Sequence, residues 1–365
     1  MSSGSVGHTA AMKIAGSQPV ARYAERKERN PKVAIFDGFA ERKEAPQHGD
    51  SVEKVVLGTS RLKDKDVQNF HNSYELQASH EEVFAAKPEE LLGKLSTLTE
   101  EIVTGFLQAT ARNLDTVVET GSIRAINQSQ SQCVARVSRP FIEQMEQDES
   151  FRLTLKEALG LPLRSHNSTV AEALLGEVKK TFDESNKIER AEKDYMRSAK
   201  RAYDQGIVHV VTAGNLGRLT ADWEKKGINA PEGSYRSVLA TEYATIVGAT
   251  DSRGTTSIRD DRAASFTSVY AGAEFSMHGV NVEVASADPK KDAYANGTSF
   301  SAPQLTALVS EMINANPKLG VAQVEELLTA SAVPVKGTKD QLGAGQIDPD
   351  RALYLAQQTA YIAKA

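Results

Sequence analysis

Short apolar runs that stop at polar residues alternate along this chain with long segments of helical periodicity. The first run, Lys32 to Phe36, ends at Asp37-Gly38. The later runs occupy residues 122–127, 206–211, 244–250 and 280–285. A run this short and this apolar is typical of a strand that is buried on both faces of a parallel sheet. Strands that alternate with helices therefore predict an α/β domain with a mainly parallel sheet.

Helical periodicity is clearest over residues 81–118, where apolar residues recur every three or four positions. Residues 51–57 and 305–313 follow the same pattern. The charged stretch 134–203 also favours helix, with a break at Leu161-Pro162 and a helix start at Ser168 or Thr169. It predicts two or more amphipathic helices on the surface.

Composition excludes several classes of protein. The 365 residues are 40% hydrophobic and 25% charged, which is enough for one large domain or two ordinary ones. The net charge of −5 gives no bulk attraction to nucleic acid or to an anionic membrane. The single cysteine, Cys133, cannot form an intrachain disulfide or a cysteine zinc site. Its context predicts a small buried apolar residue.

The ends of the chain differ from its middle. Residues 1–30 have no sustained periodicity and predict a flexible N-terminal arm, followed by a domain over residues 31–358 and a C-terminal tail over residues 359–365. The sequence contains neither an apolar run of about 18 residues nor a Sec-type signal peptide. We therefore expect no membrane anchor, and either a cytoplasmic location or export by a route without a Sec signal.

Ser299 lies in the segment that is most informative about chemistry. It follows the turn Gly297-Thr298 and precedes an apolar helix pattern, and Pro303 suits the first turn of that helix. A serine at this point presents its hydroxyl at the positive end of the helix, where developing negative charge is favoured. The pattern fits a catalytic nucleophile, and it also fits a serine that only caps the helix.

The segment GTSFSAP, residues 297–303, resembles the nucleophile motif of the subtilisin-like serine proteases, the subtilases. Further matches follow the family's order of Asp, His, Asn and Ser and cover most of residues 31–358. They are VAIFDG at 33–38, His48-Gly49, AINQS at 125–129, VVTAGN at 210–215, IVGATD at 246–251, ASFTS at 264–268 and GAGQID at 343–348. The resemblance implies a three-layer subtilisin-like fold, with helices on both faces of a mainly parallel central sheet and residues 134–203 as an extra helical insertion.

The resemblance also implies an activity. The chain would be a serine endopeptidase that hydrolyses extended polypeptide through an acyl-enzyme. Ser299 would be the nucleophile, His48 the general base that accepts its proton, and Asp37 the carboxylate that orients the imidazole. Asn215 would donate a hydrogen bond to the oxyanion, together with the backbone N–H of Ser299.

Subtilases pair the extended substrate with two segments that line the cleft. The corresponding residues here are Ser129-Gln130-Ser131 and Thr212-Ala213-Gly214. Gln130 and Ser131 replace an apolar residue and a glycine that are common in the family. We therefore expect a polar, narrowed pocket for the side chain next to the scissile bond.

Two turns depart from the family pattern and leave other functions open. Gly38-Phe39 follows the aspartate, and Asp50-Ser51 follows His48-Gly49, where the family has a hydroxyl residue with glycine and a threonine with a second histidine. The alternative is therefore a catalytically inactive subtilisin-like scaffold that binds a peptide or protein partner. Acyl transfer to an amine is a third option. Of the other histidines, His278 is out of order for the base, and His209 lies in an apolar run that predicts a core histidine.

Cofactors and partners follow from the same comparison. The expected chemistry requires no cofactor, and calcium, which is frequent in the family, stays unassigned because no acidic loop has EF-hand spacing. The 36 residues before Asp37 are too few and too polar for the folded pro-domain of secreted subtilases. Either folding is unassisted, or a separate protein acts as inhibitor or chaperone. Residues 134–203 form a solvated helical cap or, alternatively, a lid or a partner-binding surface.

Overall fold

The computed structural model describes residues 32–40, 45–288 and 290–362. The predicted N-terminal arm, residues 1–30, lies outside these ranges. In chain order the strands are β1 (Lys32–Asp37), β2 (Val67–His71), β3 (Ile123–Gln128), β4 (Val208–Thr212), β5 (Thr245–Asp251), β6 (Arg262–Ala263), β7 (Phe275–His278), β8 (Val282–Val284), β9 (Ala293–Ala295), β10 (Ala332–Val333) and β11 (Gln346–Ile347).

Helices separate most of the strands. They are α1 (His48–Gly58), α2 (His80–Phe84), α3 (Pro88–Thr120), α4 (Val134–Gln147), α5 (Glu149–Ala158), α6 (Asn167–Glu184), α7 (Asn186–Asp204), α8 (Gly217–Lys225), α9 (Ser301–Ala315), α10 (Val321–Ser331), α11 (Lys339–Leu342) and α12 (Pro349–Ile362). Short 3-10 turns cover Asp64–Asp66, Ile258–Asp260 and Thr298–Phe300.

Nine of the described strands form one central sheet. Its order is β10-β11-β7-β5-β4-β3-β1-β2, with β6 paired to β5. Neighbours run parallel from β11 to β2, while β10 and β6 are antiparallel to their partners. The predicted α/β fold with a mainly parallel sheet is therefore confirmed.

Side chains of the central strands point alternately to the two faces of the sheet, so each strand contributes residues to two cores, one on each face. Ala34 and Phe36 of β1 belong to a core that includes residues of α3 to α7. Val33 and Ile35 belong to a second core with residues of α1, α9, α10 and α12. The result is a three-layer arrangement of helices, sheet and helices.

The predicted helix over residues 81–118 is two helices in the structure. α2 ends at Phe84, and α3 begins with Pro88 at its first position. Proline has no backbone N–H to donate within a continuous helix, whereas the first turn does not need that donor. α3 ends at Thr120, and the next residue, Gly121, has a φ of 64°, the left-handed conformation that favours glycine after a helix.

The charged stretch 134–203 forms the four helices α4 to α7. The predicted break at Leu161-Pro162 lies between α5 and α6, and α6 begins at Asn167, one residue before the predicted start. These helices are not only a surface layer. Leu174 and Leu175 of α6 and Tyr195 of α7 are fully buried in the same core as β1 and α3.

Two segments differ in structure from what the sequence predicts. Residues 280–285, predicted as a further strand, contribute β8 to a separate antiparallel pair with β9. The segment 359–365, predicted as a tail, contains the end of α12, which continues to Ile362. Asn316 Nδ2 donates to Thr359 Oγ1 at 3.1 Å, so this end of α12 is linked to the rest of the domain. Across the described ranges, no helix is both long enough and apolar enough to span a bilayer.

Candidate active site

Three neighbouring parallel strands bring the candidate residues to one edge of the sheet. β1 ends at Asp37, β3 leads into residues 129–131, and β4 leads into residues 213–215. The register pairs Phe36 with Gln128 and Gln128 with Val211, so the three strands end side by side. The carboxyl edge of a parallel sheet is where ligand sites of α/β proteins form.

Asp37 and His48 are in direct contact. Asp37 Oδ2 lies 2.9 Å from His48 Nδ1. The carboxylate side chain is only 2% exposed, whereas the imidazole is 43% exposed. The backbone N–H of Gly38 donates to the other carboxylate oxygen, Oδ1, at 2.8 Å. A fixed, buried carboxylate therefore holds one nitrogen of an imidazole whose ring reaches the surface.

The two turns that depart from the family pattern pack against each other. Gly49 N donates to Gly38 O at 2.8 Å. A Cβ at position 49 would lie 2.5 Å from Gly38 O and 2.7 Å from the ring of Phe39, so only glycine allows this approach. Asp50 Oδ2 accepts from the backbone N–H groups of Ala40 and Gln47, which closes the start of α1 over the same turn. The unusual residues still bring His48 to Asp37.

Ser299 lies in the 3-10 turn that precedes α9 and is 8% exposed. Its hydroxyl donates to the carbonyl of Ser129 at 3.3 Å, and the Ser129 hydroxyl donates to Ser299 O at 2.8 Å. The centroids of the His48 and Phe300 rings are 6.0 Å apart, which brings the imidazole next to the turn that carries Ser299. In this structure the serine hydroxyl is directed to Ser129 rather than to His48.

Asn215 faces the same turn. Its Oδ1 accepts from Thr298 N and Thr298 Oγ1, both at 2.9 Å, and these bonds fix the orientation of the amide. A Cβ at Gly297 would lie 3.3 Å from Asn215 Nδ2 and 3.6 Å from Ser299 N. The two N–H donors therefore border the space that the missing side chain of Gly297 leaves open. Because Gly297 has an extended backbone with φ of 165°, this glycine is needed for space and not for its conformation.

Most side chains of the predicted substrate segments are enclosed. Ser129, Ser131, Thr212 and Ala213 are buried, and Thr212 Oγ1 donates to Thr298 Oγ1 at 2.6 Å. These side chains therefore support the site through packing and hydrogen bonds inside the protein.

Gly214, the last residue of the second predicted substrate segment, has a φ of 90°, and a Cβ there would lie 3.2 Å from Ser131 Oγ and 3.1 Å from Ser268 Oγ. Two hydroxyls thus border this glycine. The predicted polar pocket remains a prediction.

Gln130, the remaining side chain of the first segment, is directed to the carboxylate. Its Nε2 lies 3.4 Å from Asp37 Oδ1, and its Oε1 accepts from Asn72 Nδ2 at 2.9 Å. Neither contact is predictable from the sequence. Asn72 directly follows β2, an edge strand with no apolar run that could have revealed it.

The other residues singled out in the sequence lie away from this contact. His209 is buried in β4, where Nε2 bonds Gln128 Oε1 at 2.9 Å and burial lowers the pKa of the imidazole to about 3. It is a neutral core histidine, as predicted. His278 ends β7, and its backbone carbonyl accepts from Ser301 Oγ. Cys133 is buried, and burial raises the pKa of its thiol to about 11, which suits a core residue rather than a nucleophile.

No group of three or more His, Cys, Asp or Glu side chains within residues 32–40, 45–288 and 290–362 has an arrangement that could hold a metal ion. Calcium stays unassigned.

Comparison with known proteins identifies the family. The sequence profile of the subtilase family matches residues 120–345, which is more than half of the chain. The chain therefore belongs to the subtilase family and is a subtilisin-like serine endopeptidase. The matched region contains Asn215 and Ser299 but begins after Asp37 and His48, so the assignment of those two residues depends on the geometry described above.

Structural comparison gives several proteases as similar structures at low sequence identity. The prenylagaramide maturation protease PagA is 14% identical with a TM-score of 0.49, covering 89% of this chain and 94% of its own. MycP1 with the N-terminal propeptide removed is 16% identical with a TM-score of 0.49, covering 88% and 91%. The epidermin leader peptide processing serine protease EpiP from Staphylococcus aureus is 14% identical with a TM-score of 0.48, covering 91% and 77%. No curated protein sequence gives a significant match.

Proposed function

We propose that this subtilase hydrolyses peptide bonds of extended polypeptide with Ser299 as nucleophile, His48 as general base and Asp37 as the orienting carboxylate. The single observation that carries the assignment is the 2.9 Å contact between Asp37 Oδ2 and His48 Nδ1, at the same sheet edge as Ser299. Because Nδ1 donates its proton to the carboxylate, the neutral ring has Nε2 free to accept one.

The steps follow from this protonation. Ser299 Oγ attacks the scissile carbonyl carbon while His48 Nε2 takes the hydroxyl proton. The C–N bond of the tetrahedral intermediate then breaks as the imidazolium returns the proton to the leaving amine. Water repeats the sequence on the ester and releases Ser299. Before the first step the hydroxyl of Ser299 turns from Ser129 O toward His48, since hydrogen bonds of the free enzyme often realign in the substrate complex.

Asn215 and the backbone N–H of Ser299 serve as the oxyanion donors. Both border the open space at Gly297. The developing negative oxygen would accept from Asn215 Nδ2, whose amide is held in place by Thr298. A donor that is fixed before the reaction stabilises the intermediate without reorganisation. Residues 129–131 and 212–214 border the substrate on its two sides through their backbone groups.

Covalent labelling tests the function directly. We expect a fluorophosphonate to inactivate the full-length protein, and mass spectrometry of the digest to locate the adduct on Ser299. Ser301→Ala is the matched control, because this serine lies two positions away with its hydroxyl buried against Met277 O at 3.1 Å. The control variant should be labelled like the natural protein. A folded protein that does not react would contradict the proposal and favour the inactive scaffold, which is not otherwise favoured.

Substitution of Asn215 tests the oxyanion role. Asn215→Leu is expected to lower kcat by about 100- to 1,000-fold with little change in KM, because the donor acts mainly in the transition state. Asn215→Asp separates this role from support of the turn, since a carboxylate still accepts from Thr298 but provides no N–H. Steady-state kinetics on a peptide substrate give both constants. An Asn215→Asp variant with nearly natural kcat would show that Asn215 only supports the turn.

A further inference from the structure

The side chain of Gln130 makes hydrogen bonds at both ends of its amide. Nε2 donates to Asp37 Oδ1 at 3.4 Å, on the carboxylate oxygen that does not contact His48. Oε1 accepts from Asn72 Nδ2 at 2.9 Å. Because an oxygen must face Asn72, the nitrogen of the Gln130 amide must face the carboxylate. The orientation of the donor toward Asp37 is therefore determined by its second partner.

Asn72 is itself held by two elements, β1 and α3. Its backbone N–H donates to Asp37 O at 3.0 Å, which fixes it beside the end of β1. Its Oδ1 accepts from Asn113 Nδ2 at 3.3 Å, and its Nδ2 also reaches Thr110 Oγ1 at 3.5 Å. Asn113 and Thr110 belong to α3, and Asn72 is only 5% exposed. The chain of amides thus links the carboxylate of Asp37 to a long helix of the domain.

The position of Gln130 does not require a polar residue for packing. Subtilases commonly have an apolar residue there, and the neighbouring side chains of Ser129 and Ser131 are buried. A half-buried amide is costly unless its donors and acceptors are satisfied. Here both ends are satisfied, and one of them is satisfied by the carboxylate that contacts His48.

We propose that Gln130 is a positioning residue for Asp37. The inference rests on the proposed function, because it assigns a role only if Asp37 orients His48. Gln130 and the Gly38 N–H both donate to Oδ1, so Oδ2 is left to face the imidazole. Gln130 therefore sets the direction of the carboxylate.

Gln130→Leu removes the donor while keeping a side chain of similar volume. We expect kcat to fall by about tenfold with KM nearly unchanged, since a hydrogen bond to a charged group is lost.

A small fluorophosphonate separates positioning from substrate binding. This reagent reacts with the serine without occupying the extended cleft, so its inactivation rate reports on the triad and the oxyanion donors and not on binding of an extended peptide. Gln130→Leu should slow inactivation by about the same factor as it lowers kcat. Gln132→Leu is the matched control, because Gln132 is half-buried two residues away and hydrogen-bonds Tyr74 instead. It should leave both rates unchanged.

Asn72→Ala provides a second variant in which Gln130 is intact but its amide is no longer fixed. We expect kcat and the inactivation rate to fall in this variant too, by a smaller factor. Equal thermal unfolding temperatures show that each variant is folded. A Gln130→Leu enzyme with a raised KM, an unchanged kcat and a natural inactivation rate would overturn the inference and make Gln130 a substrate contact. Failure of the natural protein to react at Ser299 would instead refute the proposed function itself.

Discussion

Replacing Ser299 by alanine is expected to lower kcat/KM by about a million-fold. Without the hydroxyl no acyl-enzyme can form, and His48 and Asp37 then have no nucleophile to activate. The remaining rate comes from Asn215, the Ser299 backbone N–H and the cleft, which still bind the substrate and stabilise the oxyanion during direct attack by water. The measurement is hydrolysis of a fluorogenic peptide, with reaction times long enough to detect the residual rate.

The loss of activity in Ser299→Ala should not increase when a second triad residue is also replaced. The three side chains act as one unit, so Ser299→Ala combined with His48→Ala is expected to retain the same residual rate. The fold should be unaffected, because the substitution removes one hydroxyl that donates a single hydrogen bond, at 3.3 Å. A Ser299→Ala enzyme that keeps more than one hundredth of the natural activity would disprove the role of this serine.

Asp37→Asn is expected to lower kcat by about 10,000-fold at neutral pH. The surroundings of the carboxylate decide which way the new amide turns. Gly38 N and Gln130 Nε2 both donate to the Oδ1 position, so the amide oxygen must occupy it. The amide nitrogen then faces His48 Nδ1, which has to accept. The imidazole proton moves to Nε2, and the ring can no longer take the proton of Ser299.

A buried aspartate elsewhere in the chain gives a matched control for this change. Asp66 is 6% exposed and accepts from Lys63 N at 3.0 Å in the turn before β2. Asp66→Asn makes the same chemical change and should leave kcat within a factor of about two. Unfolding temperatures should be compared for both variants. If Asp37→Asn lost less than tenfold in kcat, orientation of His48 by Asp37 would not be part of the reaction.

The parts of the fold that the sequence predicts well are those with local signals. β1, β3, β4 and β5 are apolar runs with polar stops, and a strand buried on both faces needs such a run. The turn before α9 is recognisable because glycine, small hydroxyl residues and a proline occur together within residues 297–303. These segments contain Asp37, Asn215 and Ser299, which explains why three of the candidate residues could be named in advance.

Other parts depend on partners that a local pattern does not contain. β2 is an edge strand with exposed side chains, so its residues show no apolar run. An amphipathic helix reveals that one face is covered but not what covers it, and the stretch 134–203 therefore predicts surface helices although α6 and α7 pack into the main core. The bonds of Gln130 join residues that are 58 and 93 positions apart in the chain. Hydrogen bonds between amides so far apart in the sequence produce no periodic pattern from which they could be predicted.

The shared core of α3 to α7 has a consequence for any attempt to build a smaller enzyme. Phe36 of β1 and Ile126 of β3, two strands that lead into the catalytic edge, are buried in the same core as Leu174 and Tyr195. Removing residues 134–203 would expose the apolar surface of these strands to water. The truncated chain would aggregate or collapse instead of yielding a minimal protease, so this region is as much a part of the catalytic unit as the sheet itself.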